Sequence, residues 1–212
     1  MARAFQKCHG IPDAMGLIQP AGKTDPAIIR EIFRVNLKRD CTDAEMKLLC
    51  ETYLTFLQEE IRVANTFRVM PGIEKILKVT NASPSCLLGL ITGNLQIGAR
   101  IKLERPGLYR YFQFGGYGSD SENRAELTRI GIERGHNLQE KPSRNSEIYL
   151  VGDTPFDIDA GKKAGVITIA VATGPWKLVD LQSQRPDFAF QDLSDTCAFF
   201  KSVGLARMCL SD

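Results

Sequence analysis

The sequence has only two histidines, His9 and His136, and its six cysteines (Cys8, Cys41, Cys50, Cys86, Cys197, Cys209) are so widely spread that no Cys-x-x-Cys pair occurs. A zinc centre needs several such ligands at close spacing, so zinc is excluded and the cysteines read as free thiols of a reducing compartment. Charge of one sign is also missing: 27 basic residues stand against 25 acidic ones, with no basic stripe to follow a phosphate backbone. Nucleic acid is therefore not the expected partner. No run reaches the roughly 18 apolar residues of a membrane helix, and Met1-Ala2-Arg3-Ala4-Phe5-Gln6-Lys7 lacks the apolar stretch of a signal peptide. The expectation is a soluble, cytoplasmic chain without a membrane partner. Low-complexity segments and blocks of like charge are absent too, which excludes a disordered chain.

What is present is 212 residues, enough for one core domain and a smaller appendage. From Asp25 to Val63 the apolar residues recur at helical spacing (Ile28, Ile29, Ile32, Phe33, then Leu48, Leu49, Tyr53, Phe56, Leu57), with Thr42 or Asp43 as a cap between two helices. Met70-Pro71-Gly72 breaks the pattern, and a helix resumes at Ile73. Beyond it, short apolar runs alternate with helical stretches: Cys86 to Ile91, Ala99 to Leu103, Phe112 to Phe114, Asn123 to Arg134, Ile148 to Val151, Phe156 to Lys163 and Thr168 to Ala172. This alternation predicts a parallel sheet with helices on both faces. Leu87 to Ile91 and Ile148 to Val151 are continuously apolar, as strands buried on both faces should be.

In such sheets ligands bind at the carboxyl ends of the strands, so the residues just beyond each strand are the candidates. Thr92-Gly93-Asn94 follows the first strong strand. Its hydroxyl, its side-chain-free backbone and the helix that follows suit a phosphate group, although the same three residues serve equally as a helix cap and turn. Val151-Gly152-Asp153-Thr154-Pro155-Phe156-Asp157 follows the second. Two carboxylates one helical turn apart concentrate negative charge, which a hard cation such as Mg²⁺ offsets. The plainer readings are a strand-end cap for Asp153, a dipole-favoured acid for Asp157 and a solvated surface acid for Asp159.

Together these loops resemble the second and fourth motifs of the haloacid dehalogenase-like hydrolases: Leu90-Ile91-Thr92-Gly93-Asn94, and Gly152-Asp153-Thr154-Pro155-Phe156-Asp157 followed by Ala164-Gly165-Val166. Ala21-Gly22-Lys23-Thr24-Asp25 resembles a loop of the helical cap in phosphoglycolate-phosphatase-like members. Pro71-Gly72 resembles the return from cap to core, and Pro186 to Phe190 with Asp192-Leu193 the family's last strand and following helix. The resemblance implies a three-layer, Rossmann-like α/β core over residues 71–212, a small all-helical cap over 10–70, and a remnant of a core helix at 1–9. It also implies a Mg²⁺-dependent phosphatase acting on a small phosphorylated metabolite. Thr92, Gly93 and Asn94 would bind the phosphoryl group, Asp153 would hold Mg²⁺ with support from Asp157, and Lys23, Thr24 and Asp25 would select the substrate. The family's charge-neutralising base corresponds to Arg124, at a helix start, with Lys141 as its rival.

The family's nucleophile lies in an Asp-x-Asp-x-Thr motif at the end of the first, central strand, and no such motif occurs in these residues. Asp157-Ile158-Asp159 and Ser119-Asp120-Ser121 stand in the wrong context. The opening helix, which has no capping residue, resembles the element after that motif. A start truncated at that point is the expectation, with two strands left short of a partner and the chain inactive as it stands. A non-catalytic relative that binds phosphate and Mg²⁺, or a partner, is the second reading. A phosphomutase or a dehalogenase is a third, and the carboxylate pair argues against a dehalogenase, which needs no Mg²⁺.

Overall fold

The computed structural model describes residues 1–140 and 144–210. Three helices come first: α1 (Ala2–His9), α2 (Asp25–Ile32, continued by a π-turn at Phe33–Leu37) and α3 (Asp43–Val63). Thr24 caps α2 by accepting the Ala27 N–H, and Thr42 and Glu45 form a reciprocal capping box at the start of α3. The helix α1 has no side-chain cap. Ala4, Phe5, Ile29, Ile32, Phe33 and Leu49 are fully buried together, so α1 shares the core of this helical layer.

Helices and strands then alternate: α4 (Ile73–Asn81), β1 (Gly89–Thr92), α5 (Gln96–Glu104), β2 (Phe114–Tyr117), α6 (Arg124–His136) and β3 (Tyr149–Gly152). They continue with α7 (Pro155–Ala164), β4 (Ile167–Val171), α8 (Leu178–Ser183), β5 (Phe188–Phe190) and α9 (Thr196–Ser202). All strand pairing is parallel, as the alternation predicts. Successive β4 side chains point to opposite faces. Ile169 and Val171 join a core with Ile76, Leu193, Phe199 and Phe200, while Ala170 packs with Ile158 and Leu181. Helices thus cover both faces, and the three-layer α/β arrangement follows.

Among the described residues the strands form two pieces, β1-β2 and β3-β4-β5. β1 and β3 therefore each have one partner, and they are partly exposed, Val151 by 41%, whereas Ile169 and Ala170 on the doubly paired β4 are buried. The expectation that Leu87 to Ile91 and Ile148 to Val151 are buried on both sides is corrected: an apolar run reports the burial a strand is suited to, and an edge withholds part of it.

Two further expectations are corrected. The second strand runs over Phe114–Tyr117 rather than Phe112 to Phe114, because Gly115 and Gly116 belong to the sheet and not to the loop beyond it. Gly116 lies so close to the Leu127 carbonyl on α6 that a Cβ would overlap it, so glycine serves close helix–strand packing there. Cys197 and Cys209 form a disulfide, while Cys8, Cys41, Cys50 and Cys86 are free. A turn at Gly204 (φ 72°) folds Ala206–Leu210 back against α9, a return that cysteine spacing does not reveal. No helix among the described residues is long and apolar enough to cross a membrane.

Candidate active site

The loops after β1 and β3 and the first residue of α6 supply the expected groups. The fourth-motif loop is held by its own residues. Thr154 caps α7 by accepting the Asp157 N–H at 3.2 Å, and Asp157 Oδ2 accepts from the Thr154 N–H at 3.1 Å and hydroxyl at 2.8 Å. Pro155 at the first helical position fits this start. Gly152 is required beneath it, because a Cβ there would overlap the Asp157 side chain.

The other Asp157 oxygen, Oδ1, accepts from Arg124 Nε at 2.7 Å and Nη2 at 2.5 Å. Both side chains are largely withdrawn from solvent, at 18% exposure for Arg124 and 7% for Asp157. Arg124 reaches this position because Asn123 caps α6, accepting the Ala125 and Glu126 N–H groups, and aims its first residue across at α7. Lys141 lies outside the described residues.

Asp153 stands at the end of β3 beside this pair. Burial raises its carboxyl above the usual value, the charge of Asp157 adds to the rise, and Arg124 opposes it. Gly174, in the loop after β4, packs so closely that a Cβ would overlap the Asp153 carboxylate. The rule that sites lie just beyond strand ends would have found this glycine.

The donor set fits Mg²⁺ with a division of labour. Both Asp157 oxygens are engaged, by Arg124 and Thr154, so Asp157 suits support, while Asp153 offers a half-buried carboxylate whose charge a cation would offset. Among the described residues no group of three or more His, Cys, Asp and Glu side chains is placed to hold a metal ion. Mg²⁺ retains several water ligands and is commonly bound through one or two carboxylates plus substrate phosphate, so this sparse set is compatible with it.

The second-motif loop is held differently. Thr92 Oγ1 accepts the Asn94 N–H at 3.2 Å, which leaves the hydroxyl proton to donate elsewhere. The remaining anchors come from three sides: the Gly118 N–H, just after β2, donates to the Asn94 carbonyl at 2.8 Å, Lys102 reaches in from α5, and the others come from the helical layer. Asp25 N–H donates to the Gly93 carbonyl at 2.7 Å, and Asp25 Oδ2 accepts the Leu95 N–H at 2.8 Å. Asn94 Nδ2 approaches Asp25 Oδ1 at 3.4 Å, and Lys102 Nζ donates to Asn94 Oδ1 at 3.0 Å. A Cβ on Gly93 would overlap the Lys23 carbonyl.

Lys23, Thr24 and Asp25 therefore lie against Thr92-Gly93-Asn94, but their polar groups are turned to structural partners. Lys23 pairs with Glu31, Thr24 caps α2, and Asp25 is 4% exposed. Lys102, which sequence reasoning missed, has no motif to mark it.

The helical layer touches the rest of the site at two more points. Gly22 (φ 77°) meets the ring of Phe156, which also packs edge-on to Trp176, and Arg30 pairs with Glu122 at 2.6 Å, just before α6.

Comparison with known proteins agrees with this architecture. A family model described as haloacid dehalogenase-like hydrolase matches residues 17–171. Pyrophosphatase PpaX of Listeria monocytogenes serotype 4b (strain F2365) is 31% identical over 117 residues, which are 54% of this chain and 51% of that protein. The chain thus spans about half the length of the curated relatives it matches. A hydrolase from Pseudomonas syringae superposes with a TM-score of 0.70 at 14% identity, covering 95% of this chain and 89% of that one. YfnB from Bacillus subtilis, described as bound to magnesium, gives a TM-score of 0.58 at 18% identity over 84% and 73% of the two chains. At such identities these structures speak to the fold alone.

Proposed function

Because the chain belongs to the haloacid dehalogenase-like hydrolase family, we propose that it carries the phosphate- and Mg²⁺-binding half of a phosphatase for small phosphorylated metabolites. Thr92, through its hydroxyl, and the Gly93 backbone hold the phosphoryl oxygens, with Asn94 shaping the turn. Arg124 neutralises phosphoryl charge from its position on Asp157. Asp153 is the protein's Mg²⁺ ligand and Asp157 its support. When bound, Mg²⁺ supplies positive charge that stabilises the phosphoryl oxygens. The observation that carries this reading is the half-buried Asp153 carboxylate beside the desolvated Arg124–Asp157 pair at a strand's carboxyl end. Desolvated charges concentrated in this way are costly and mark functional sites.

No step of covalent catalysis is assigned to these residues, since they contain no Asp-x-Asp-x-Thr motif. The same absence favours a second reading, a phosphate- and Mg²⁺-binding protein without turnover.

Thermal unfolding with inorganic phosphate and MgCl₂, paired with a p-nitrophenyl phosphate assay, tests both readings. Ligand at about 100 times its dissociation constant stabilises a folded chain by roughly 2.7 kcal/mol. The expected result for these 212 residues is such a stabilisation without release of nitrophenol; a form that also carries the nucleophile motif turns over under the first reading and not under the second. No stabilisation by either ligand would remove both.

A further inference from the structure

The Leu95 amide lies at the start of α5, where an anion-binding loop is expected to offer its N–H groups to phosphate. In this chain that amide is already taken by Asp25, seventy residues earlier, at the start of α2. The same residue gives its own N–H to Gly93 and faces the Asn94 side-chain amide, so one residue of the helical layer grips three consecutive positions of the loop. Leu95 provides no side-chain cap for α5, and its own N–H, one of the donors a helix start leaves without an intrahelical partner, is accepted by Asp25. Lys102, from α5, also holds Asn94. The Lys23 carbonyl lies so close to Gly93 that a Cβ there would overlap it.

This arrangement has a cost. Burial raises the Asp25 carboxyl above its usual value, against the Leu95 amide, Lys102 and Asn94, which all favour its ionised form, and burial likewise lowers the Lys102 ammonium. A second negative charge beside a phosphate loop also opposes anion binding. What the carboxylate supplies in return is an acceptor for the Leu95 N–H at the end of the loop.

We propose that Asp25 is a positioning residue: through its bonds to Gly93, Asn94 and Leu95 the helical layer sets the Thr92–Asn94 loop in its phosphate-accepting conformation. The part of the proposal that concerns phosphate rests on the function proposed above; the part that concerns the loop does not.

Two substitutions separate positioning from charge. Asp25→Ala removes acceptor and charge together, while Asp25→Asn keeps an acceptor for the Leu95 N–H and removes only the charge. Amide exchange of the 212-residue chain is followed by NMR at Leu95, with Val171 as a reference for overall stability. Affinity for inorganic phosphate is measured in parallel by calorimetry.

Losing a hydrogen bond to a charged acceptor corresponds to about a tenfold change in equilibrium. Asp25→Ala is expected to speed exchange at Leu95 by about that factor beyond any change at Val171, and to weaken phosphate binding similarly. Asp25→Asn is expected to return both to within about threefold, because the acceptor is restored. If Asp25→Ala does not fold, Asp25→Ser, which is too short to reach Leu95, takes its place.

Equal changes at Leu95 and Val171 would overturn the proposal. So would phosphate affinity that rises in both variants, since Asp25 would then act only as a repelling charge. If the unaltered chain does not bind phosphate while Leu95 responds as expected, the proposed function fails and the positioning of the loop stands.

Discussion

The two loops of the site look alike in sequence, each a polar cluster that follows an apolar strand, yet they are stabilised in opposite ways. The Asp153–Asp157 loop is capped by residues within it, Thr154 and Asp157 capping each other three positions apart with Gly152 making room for them, and one remote side chain, Arg124, is added from α6. The Thr92–Asn94 loop has one bond of its own, from Asn94 N–H to Thr92 Oγ1, and is otherwise held by Lys23 and Asp25 of the helical layer, by Lys102 of α5 and by the Gly118 N–H after β2. The first is mainly a local motif. The second takes part of its shape from the helical layer, through Lys23 and Asp25, and part from Lys102 on α5 and Gly118 after β2.

Substitutions can break this contrast, and the largest effect should come from the pair that joins α6 to α7. Arg124→Ala leaves the Asp157 carboxylate buried without its cation, and breaking a buried pair in this way costs about 3 kcal/mol, measurable as a lower urea midpoint with an unchanged slope. Gly93→Ala and Gly152→Ala come next, at about 2 kcal/mol each, since both force a Cβ into an occupied place. They should differ in where the damage appears. Amide exchange in Gly93→Ala should quicken most around Lys23–Asp25, whereas in Gly152→Ala it should quicken most at the start of α7. Thr154→Ala is a smaller probe, a lost helix cap worth about 1 kcal/mol in thermal unfolding, confined to the fourth-motif loop.

The pH dependence sharpens the comparison further. Burial, with the charge of Asp157, raises the Asp153 carboxyl, so the folded chain holds this proton to a higher pH than the unfolded chain does. Its contribution to stability is therefore most favourable at acid pH and falls as pH rises through the interval between the unfolded and folded values; above that interval the full deficit persists. Asp153→Asn should remove this slope and leave the chain more stable at neutral pH while abolishing Mg²⁺ binding. Mg²⁺ affinity of the unaltered chain should fall with acidification, starting above the pH expected for an ordinary aspartate, as measured by calorimetry across a pH series.

How much of this was legible in the sequence follows the same local and remote division. The alternation of apolar runs and helical stretches predicted the parallel α/β architecture, and Asp153 with Asp157 one turn on stood out because capping and charge pairing act over a few residues. Arg124 was found only through family resemblance, since its partner is 33 positions away. Family resemblance assigned Asp25 to substrate selection and left its bonds to the Thr92–Asn94 loop hidden. Asp25 reads as the first residue of a helix, and nothing near it in the chain points to Leu95. Strand β2 was misplaced because Gly115 and Gly116 carry no apolar signal, although close packing against α6 requires them. The exposure of β1 and β3 was similarly out of reach of periodicity, which gives a strand's character but not the number of its neighbours.

The central claim is that the two loops, held so differently, serve one site. Titrating inorganic phosphate into the 212-residue chain by calorimetry, without Mg²⁺ and at saturating Mg²⁺, tests it most directly, because ligands that share a site are energetically coupled and the coupling is reciprocal. The account predicts phosphate binding that tightens by about tenfold with Mg²⁺, a gain lost in Asp153→Asn. Phosphate binding of the same affinity with and without Mg²⁺, or none in a chain shown to be folded, would contradict it.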